Sequence, residues 1–495
     1  MIGAPAFRRS RIFKRPMIPY LRTSCIAVLA ALFALPFTGR PQSIVKVDLM
    51  DRHPGPLINP NFVGLSFEMQ YVLAGTDGNH FFSPENKSLI ATFQQLGIKS
   101  LRVGGNTADR ATLPTPSQAD VDSLFDFARA ARVKVIYTLR LNSGDIAAAT
   151  QMANYISRRY PGQLEYFAIG NEPNVFNKQF APYLAEWKEY AAAITAPTNT
   201  PTARFCGPST SPGHESWAAN FANESGNHGL VSLIVQHDYP GGDARRATNS
   251  VAARDKILSP AIDEHYAKFA GNFVPAVLSN ALPYRLEEAN SFYDGGALDV
   301  SDTFASALWA LDYQWWWASH GASGINFHTG DKVAARDENK PCRYAVFWTV
   351  PDGYNIHPIG YALKMFSLGA QGHFLTPKLE NPDDVNVAVY AAANDHGELF
   401  VTLINREHGT TGRNAEFKLE LNSSPRRAEV LELSAPDNNV AAKTGITLGS
   451  GEIEDDGTWQ GQWHPVSNLP KNAPLEVHLS PASASIIRIT GALQK

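Results

Sequence analysis

Two short segments place carboxylates where an apolar stretch of the chain ends. In "FAIGNEPNVF" an apolar run is followed directly by Asn171 and Glu172, and in "LPYRLEEANSFYDGG" a similar run ends at Glu287 and Glu288. Cleavage of an acetal requires two carboxyl groups with different tasks. One is protonated and delivers its proton to the leaving oxygen, and the other is ionised and attacks or stabilises the anomeric carbon. The two segments therefore predict a pair of catalytic carboxylates, provided that the fold brings them together.

The elements that carry these segments follow a regular strand–helix alternation. Eight apolar or β-branched runs recur in order: "FVGLSFE", "KSLRVGG", "VKVIYTLRL", "LEYFAIG", "ARFCGPS", "SLIVQHDY", "LPYRLEE" and "SGINFHTG". Helical patterns such as "YLAEWKEYAAAI" and "SDTFASALWALDYQWWWASH" lie between them, and the latter has one apolar face. Alternation of this kind implies a parallel sheet, and eight units fit an α/β fold of the (β/α)₈ TIM-barrel type. An open doubly wound sheet is the alternative, but no G-x-G-x-x-G motif opens a first helix.

Polar residues at the ends of these strands predict a site at one rim of the barrel. In a (β/α)₈ barrel the chemistry lies at the carboxyl ends of the strands. Besides the two segments above, polar or flexible residues end four other strands: Glu68, Gly104, Gly105, Tyr239 and His328. Successive side chains of a strand point to opposite faces, so we expect only one of Glu287 and Glu288 to point to the barrel axis.

After about residue 365 the pattern changes to short alternating strands. Segments such as "DVNVAVYAAA", "GELFVTLINR" and "LEVHLSPASASIIRIT" are separated by Asn, Asp, Gly and Pro without a long helix, which predicts an antiparallel β-sandwich. The early strand at residues 43–49 lies outside the barrel and is expected to pair with this second domain. We therefore predict a barrel over residues 59–364 and a β-sandwich domain made of residues 44–58 and 365–495.

The N-terminal segment has the pattern of an export signal. Six Lys or Arg residues precede an apolar run at residues 25–37, which is too short for a membrane span. We assign residues 1–43 to this signal, with cleavage between Thr38 and Ser43, and expect a periplasmic or extracellular protein without a membrane anchor. Cys25 opens the apolar run instead of closing it, which does not fit a lipoprotein anchor.

Removal of this segment leaves a strongly acidic protein. The chain of 495 residues has a formal net charge of −4, and its first 43 residues contain seven basic and no acidic residues, so the charge of the remainder is about −11. This charge disfavours nonspecific binding to nucleic acid or another polyanion, and no cluster of Lys or Arg flanks the strand ends. Cys206 and Cys342 then remain, and without zinc-ligand spacing we expect free, buried thiols and neither a metal nor a cofactor.

These segments together resemble glycoside hydrolase family 79, the β-glucuronidases that include heparanase. The resemblance rests on "GLSFE", "LRVGGNTAD", "IGNEPNVF", "QHDYPGG", "RLEEANSFYDGG" and "SDTFASALWALDYQWWWASHGASGINFHTG", which span nearly the whole barrel in order. The family belongs to a superfamily of retaining glycosidases whose acid/base and nucleophile end strands four and seven. Its two-domain plan also matches the predicted sandwich.

The resemblance implies a role for each matching residue. Glu172 matches the acid/base, and the spacing of "EANSFYDGG" matches Glu288 to the nucleophile, which leaves Glu287 to support the strand end or to face solvent. Tyr293 and Gly295 match the loop that holds the glucuronate carboxylate through hydroxyl and backbone N–H donors. The positions that surround the sugar in the family are matched by Glu68, Gly104, Gly105, Asn171 and Tyr239.

The resemblance leaves one contact open and implies a function. A further carboxylate-binding tyrosine of the family has two candidates on the charged loop after strand eight, Tyr344 and Tyr354. The implied protein is a secreted retaining exo-β-glucuronidase that hydrolyses terminal β-D-glucuronic acid by double displacement. The sequence leaves open the aglycone, 4-O-methylation of the sugar and the oligomeric state. The alternatives are a heparanase-like endo-β-glucuronidase, which the acidic charge disfavours, and a non-catalytic sugar-binding protein, which the presence of both carboxylates disfavours.

Overall fold

Eight parallel strands form a closed barrel in the computed structural model, which describes residues 42–50, 53–333, 340–467 and 469–492. Strand β1 (Gln42–Asp48) precedes the barrel. The barrel strands are β2 (Val63–Glu68), β3 (Ser100–Gly104), β4 (Lys134–Leu139), β5 (Leu164–Ile169), β6 (Phe205–Thr210), β7 (Leu233–Asp238), β8 (Tyr284–Ala289) and β9 (Ile325–His328). They pair in chain order, and β9 closes the barrel against β2. Each of the eight predicted runs overlaps one of these strands, so the predicted barrel is confirmed.

Helices follow the barrel strands and cover the outside of the barrel. They are α1 (Lys87–Gln95), α2 (Gln118–Ala131), α3 (Ile146–Arg159), α4 (Phe180–Thr195), α5 (Glu215–His228), α6 (Ser250–Leu258), α7 (Ala261–Gly271), α8 (Val274–Ser279), α9 (Phe304–Ser319) and α10 (Pro358–Gly369). Polar caps define several helix starts: Ser117 and Asp120 form a capping box at α2, and Asp145 caps α3. Because these caps satisfy the first free N–H groups, each helix begins at a fixed point after the preceding strand.

Two further sheets form a β-sandwich, as predicted. The larger sheet contains β12 (His373–Leu375), β14 (Val387–Ala393), β15 (Glu398–Asn405), β17 (Arg427–Ser434), β18 (Thr447–Leu448), β19 (His464–Pro465) and β21 (Ser483–Thr490). The smaller sheet contains β1, β13 (Lys378–Glu380), β16 (Asn414–Glu420) and β20 (Leu475–Leu479). A hairpin of β10 (Phe347–Val350) and β11 (Gly353–Ile356) precedes α10. Strand β1, which the sequence placed at residues 43–49, pairs with β16 and β13, and its Val45 and Val47 enter the sandwich core.

Helix α9 is buried on all sides instead of along one face. The sequence predicted a single apolar face, yet every residue of the helix except Ser319 is buried. On the barrel side, Trp309 packs edge-on against Phe327 of β9. On the opposite side, Trp315 stacks on Tyr390 of β14 with ring centroids 5.6 Å apart. The helix therefore lies between the barrel and the β-sandwich, which explains why apolar residues surround it.

None of the helices in the described part of the chain is long and apolar enough to cross a membrane. The predicted export signal lies outside the described residues, apart from Gln42 and Ser43, which already belong to β1.

Candidate active site

A cavity of about 390 Å³ opens at the carboxyl ends of the barrel strands. Its lining combines carboxylates with aromatic, basic and small residues, among them Glu68, Glu172, Tyr239, Glu288, Tyr293, Gly295, His328, Lys332 and Tyr344. Six of the nine site residues predicted from the sequence are in this set. The structure therefore brings the two predicted segments together at one site.

Glu172 is held at the turn after β5 with its carboxyl group at the cavity. Its φ of +45° lies in the left-handed region, which is uncommon for a residue with a side chain. The turn is fixed because the Glu172 N–H donates to the Ser209 carbonyl oxygen at 2.9 Å and because Pro173 begins a short 3₁₀ turn. Strained backbone that its surroundings hold in place is typical of functional positions. The abrupt end of the apolar run thus aims this carboxyl group at the cavity.

Glu288 lies at the end of β8 as a buried carboxylate with strong donors. Arg102 Nη1 donates to Oε2 at 2.6 Å, and the Tyr239 hydroxyl donates to Oε1 at 2.9 Å. Burial by itself would raise the pKa of the Glu288 carboxyl group, but His328, His237 and Arg102 outweigh burial and hold this pKa below its usual value. Glu288 is therefore ionised at neutral pH, as a carboxylate nucleophile must be.

The carboxylates of Glu172 and Glu288 face each other across a short gap. One oxygen from each group lies within 4.8 Å of the other. Retaining glycosidases hold their two carboxyl groups about 5 to 5.5 Å apart, whereas inverting enzymes need about 6.5 to 9.5 Å to admit a water molecule. The separation is therefore the one expected for double displacement through a covalent intermediate.

Arg102 of β3 is a site residue that the sequence analysis missed. Its side chain is fully buried, and besides Glu288 it donates to Asn171 Oδ1 at 2.6 Å and to Ser66 Oγ at 3.1 Å. Because the guanidinium presents its donors in a rigid fork, Arg102 fixes Glu288 and Asn171 relative to each other. The available signal was the arginine inside the apolar strand "LRVGG", since a buried arginine requires partners.

His237 of β7 was also missed, although it lies two residues before the predicted Tyr239 and therefore points to the same side of its strand. Its Nδ1 is 3.1 Å from Glu172 Oε1 and 3.9 Å from Glu288 Oε1, and its Nε2 is 3.6 Å from Glu287 Oε1. Burial lowers the pKa of the imidazole, but the three carboxylates outweigh burial and raise the pKa to about 9. A charged imidazole at this position donates its Nδ1–H to Glu172 Oε1.

A β-bulge brings both Glu287 and Glu288 inward, so the prediction that only one of them would point to the axis is wrong. Relative to β7, strand β8 gains one residue between Leu286 and Glu288, and Glu287 is that extra residue. Glu287 is fully buried, not directed to solvent, and its Oε2 accepts a hydrogen bond from Cys206 Sγ at 3.8 Å. Cys206 and Cys342 are both free and buried, as predicted.

The same cluster brings three potential metal ligands together. One ligand atom from each of Glu172, His237 and Glu288 lies within 4.8 Å of the others. Glu288 already accepts a short hydrogen bond from the Arg102 guanidinium, so a cation bound there would lie close to a second positive charge. This donor set therefore fits proton and charge chemistry better than a resident cation.

Glu68 lines the cavity, and Gly104 and Gly105, which are not among the lining residues, lie behind it. The Thr107 N–H and hydroxyl donate to Glu68 Oε2 at 2.8 and 2.7 Å, and His328 Nε2 lies 3.5 Å from Oε1. Gly105 has a φ of +66°, and a Cβ added there would lie 2.5 Å from the Glu68 carboxylate. A Cβ at Gly104 would lie 2.5 Å from a neighbouring guanidinium group. Because the two glycines have no Cβ, the Glu68 carboxylate and the Arg102 guanidinium can pack directly against the backbone.

Asn171 is anchored from two sides. Its backbone N–H donates to Asp109 Oδ2 at 2.6 Å, and its Oδ1 accepts from Arg102. Because Arg102 occupies the amide oxygen, the amide nitrogen is the group that remains for a sugar hydroxyl. Asn171 itself is not among the residues that line the cavity, so its contact with the sugar stays a prediction.

The structure distinguishes between Tyr344 and Tyr354, the two candidates for a further tyrosine at the site. Tyr344 lines the cavity, with its ring centroid 6.2 Å from that of Tyr239 and 5.8 Å from that of His328. Tyr354 instead packs in an aromatic cluster beside α1 and accepts a hydrogen bond from Asn86 Nδ2 at 2.7 Å. Tyr344 is therefore the one of the two within reach of a ligand.

The loop after β8 brings Tyr293 and Gly295 to the cavity, as predicted. The Tyr293 N–H donates to the Gly242 carbonyl oxygen at 3.0 Å, which ties this loop to the loop after β7. Its ring is 39% exposed and lies edge-on to Tyr239. Gly295 has a φ of +84°, and its carbonyl oxygen accepts from the Arg343 N–H at 2.6 Å. The hydroxyl of Tyr293 is thus accessible to a ligand.

Basic residues also line the cavity, and the sequence interpretation missed them because they lie on the loops after β7 and β9. Arg245 and Lys332 belong to the lining. Arg245 donates twice to Asp243 at 2.9 Å and lies 3.4 Å from Asp294, so its charge is compensated. Within the described residues, Lys332 forms no ion pair and is exposed. Lys332 is therefore a cation available to an acidic ligand.

Two curated relatives of the chain are both β-glucuronidases. No family model matches the chain. The chain is 24% identical over 335 residues to a β-glucuronidase of Aspergillus niger, covering 58% of this chain and 61% of that protein. It is 27% identical over 156 residues to a β-glucuronidase of Neurospora crassa, covering 31% of this chain and 26% of that protein. The chain thus spans less than two thirds of the length of these curated relatives.

Solved structures share the fold over nearly the whole chain. A 4-O-α-L-rhamnosyl-β-D-glucuronidase from Fusarium oxysporum 12S has a TM-score of 0.67 at 18% identity, covering 91% of this chain and 99% of that one. A family 51 arabinofuranosidase from Xanthomonas axonopodis pv. citri has a TM-score of 0.65 at 16% identity, covering 90% and 100%. At these identities the likeness establishes the architecture, a TIM barrel with a β-sandwich domain.

Proposed function

We propose that the protein is a secreted retaining exo-β-glucuronidase that removes terminal β-D-glucuronic acid by double displacement. The observation that carries this proposal is the pair of carboxylates, Glu172 and Glu288, of which one oxygen each lies within 4.8 Å of the other at the carboxyl end of a (β/α)₈ barrel. The two glucuronidase relatives support the glycosidase assignment. Assignment to family 79 itself stays a prediction.

The chemistry follows from the environments of the two carboxylates. In the first step the Glu288 carboxylate attacks the anomeric carbon while the Glu172 carboxyl group protonates the leaving oxygen. Arg102 and Tyr239 hold the Glu288 oxygens in place, so little reorganisation is needed at the moment of attack. In the second step Glu172 accepts a proton from water, which attacks the glycosyl ester and releases the sugar with its configuration retained.

Recognition of a uronic acid is supported by the groups around the sugar position. The Tyr293 hydroxyl, the Gly295 loop and Tyr344 supply neutral contacts, and Lys332 supplies a positive charge. Charge-assisted hydrogen bonds to a carboxylate are about twice as strong as neutral ones. A cavity of about 390 Å³ is in the range for one small ligand, which fits removal of a terminal sugar better than accommodation of a long chain.

The experiment that tests the proposal is hydrolysis of 4-nitrophenyl β-glucuronide, with the matched glucoside as a control. We expect release of nitrophenol from the glucuronide and much less from the glucoside, and ¹H NMR should detect the β-anomer of glucuronic acid first. The α-anomer appearing first would overturn the retaining assignment. Binding of glucuronic acid without turnover of any uronide would favour a sugar-binding protein, and internal cleavage of oligosaccharides would favour an endo-acting enzyme.

A further inference from the structure

The barrel holds a third carboxylate that the two-carboxylate reaction does not use. Glu287 is fully buried, and the bulge in β8 directs it toward the same histidine as Glu288. Its Oε1 faces His237 Nε2 at 3.6 Å, and neither atom has a hydrogen-bond partner within the described part of the chain. A buried carboxylate is costly unless a positive charge compensates it, so Glu287 and His237 form an ion pair on one side of the imidazole.

The other side of the imidazole contacts the proposed acid/base. Nδ1 lies 3.1 Å from Glu172 Oε1, so the ring connects Glu287 to Glu172 in one line of carboxylate, imidazole and carboxyl group. The charged groups around His237 come from three elements. Glu172 follows β5, and Glu287 and Glu288 belong to β8. Arg102 of β3 lies beside the two adjacent glutamates. Of these, Glu287 is the one whose carboxylate faces Nε2.

Resting on the proposed function, we propose that Glu287 is a positioning residue: its carboxylate keeps His237 charged, so that Nδ1–H donates to Glu172 Oε1 and leaves Oε2 to exchange the catalytic proton. In the first step the Oε2–H bond breaks and the proton passes to the leaving oxygen. In the second step Oε2 takes a proton from the attacking water. His237 keeps both of its protons throughout, so the cycle balances without another donor.

The structure supports this role in two ways. Hydrogen bonding of a cation to Oε1 withdraws electron density from the carboxyl group and fixes its rotation, which favours delivery of the proton from the other oxygen. The raised pKa of His237, about 9, agrees with an imidazole that stays charged across the neutral range. Without the negative charge of Glu287, the proton on His237 would be held less tightly.

The test uses the pH dependence of kcat/KM on 4-nitrophenyl β-glucuronide. In Glu287→Gln we expect the alkaline limb of the kcat/KM profile to move to lower pH by about one unit or more. Near pH 5 kcat/KM should stay within about threefold of the wild-type value, because His237 is still charged at that pH. Cys206→Ala, which removes the thiol that donates to Glu287 Oε2 and leaves the charge of Glu287, should keep the wild-type limb. Adding Glu287→Gln to His237→Gln should cause no further shift, since Glu287 acts through the ring.

Two results would overturn the proposal. One is an equal loss of kcat/KM at every pH in Glu287→Gln, which indicates a role in packing alone. The other is a limb shift of the same size in the His237→Gln background, which indicates that Glu287 acts on Glu172 directly.

A measurement without turnover separates this inference from the proposed function. NMR titration of the His237 imidazole in the free protein, assigned with His237→Gln, should give a ring charged at pH 7 in wild type and a lower midpoint in Glu287→Gln. A neutral His237 at pH 7 in wild type overturns the inference even if the protein hydrolyses glucuronides. If His237 is charged but the protein hydrolyses no glucuronide, the ion pair between Glu287 and His237 is supported and the proposed function is refuted.

Discussion

At the scale of single residues, the neighbours of each carboxyl group decide its task. Glu288 accepts hydrogen bonds from Arg102 and Tyr239 and is held as an anion. Glu172 shares its Oε1 with His237 while its carboxyl group stays at the cavity, where an acid/base must meet both a leaving group and a water. Glu287 is fully buried and is not among the residues that line the cavity. The three glutamates thus lie in three different environments.

Glu172→Ala should slow substrates with poor leaving groups far more than activated aryl glucuronides, because only the former need protonation. We expect a loss of about 10³-fold on an alkyl glucuronide and about tenfold or less in the first step on the nitrophenyl substrate. Azide should partly restore turnover of the aryl substrate by attacking the glycosyl-enzyme from the vacated side. Uniform loss on both substrates without rescue would remove Glu172 from the acid/base role.

Lys332→Gln should weaken discrimination between a glucuronide and the matched glucoside. The substitution removes a positive charge that has no ion-pair partner among the described residues, so KM for the glucuronide should rise about tenfold while the glucoside changes little. Lys340→Gln is the matched control, because Lys340 lies 3.6 Å from Asp294 and should leave the ratio unchanged. An unchanged ratio in Lys332→Gln would assign sugar-acid recognition to the tyrosine and backbone donors alone.

At the scale of elements, strand periodicity predicted the barrel and the rim because both depend on local patterns. The site residues that strand periodicity did not predict depend on contacts between distant parts of the chain, which leave no local pattern in the sequence. The β-bulge at Glu287 arises from pairing between β7 and β8, and alternation along a single strand cannot reveal it. Arg102 appears in an otherwise apolar strand, and its partners lie far away in the sequence. Lys332 reaches the cavity through a long loop whose path periodicity does not determine.

The contact between α9 and the β-sandwich contains a buried ion pair whose loss should destabilise the whole protein. Arg406 Nη1 donates to Asp312 Oδ2 at 2.9 Å, and both side chains are almost fully buried. Arg406→Ala leaves the Asp312 charge unpaired, so we expect a cost of about 3 kcal/mol or more and a fall in the thermal unfolding midpoint of roughly 5 °C. Arg427→Ala, which removes an exposed partner of Glu429, should lower the midpoint by less than about 2 °C. Equal midpoints for the two variants would show that this ion pair does not stabilise the contact.

At the scale of the whole molecule, the net charge and the N-terminal segment bear on the compartment in which the protein acts. We propose that residues 1–43 direct export and that cleavage occurs between Thr38 and Ser43, which leaves an acidic protein that begins at or close to the start of β1. Leu29→Arg combined with Leu32→Arg interrupts the apolar run and should keep the protein unprocessed inside the cell, whereas Thr23→Arg in the basic part should not. Intact mass and N-terminal sequencing of each fraction measure the outcome. Export of the double variant with normal processing would refute the assignment.

The most direct test of the central claim is the position of a trapped covalent intermediate. A 2-deoxy-2-fluoro-β-glucuronyl fluoride should form a stable glycosyl ester because the fluorine slows the second step more than the first. Peptide mass spectrometry should then find the added mass on Glu288, and Glu288→Gln should neither be labelled nor retain more than about 10⁻⁴ of wild-type turnover. A label on Glu287, or turnover of the β-glucuronide without any label, would contradict the account.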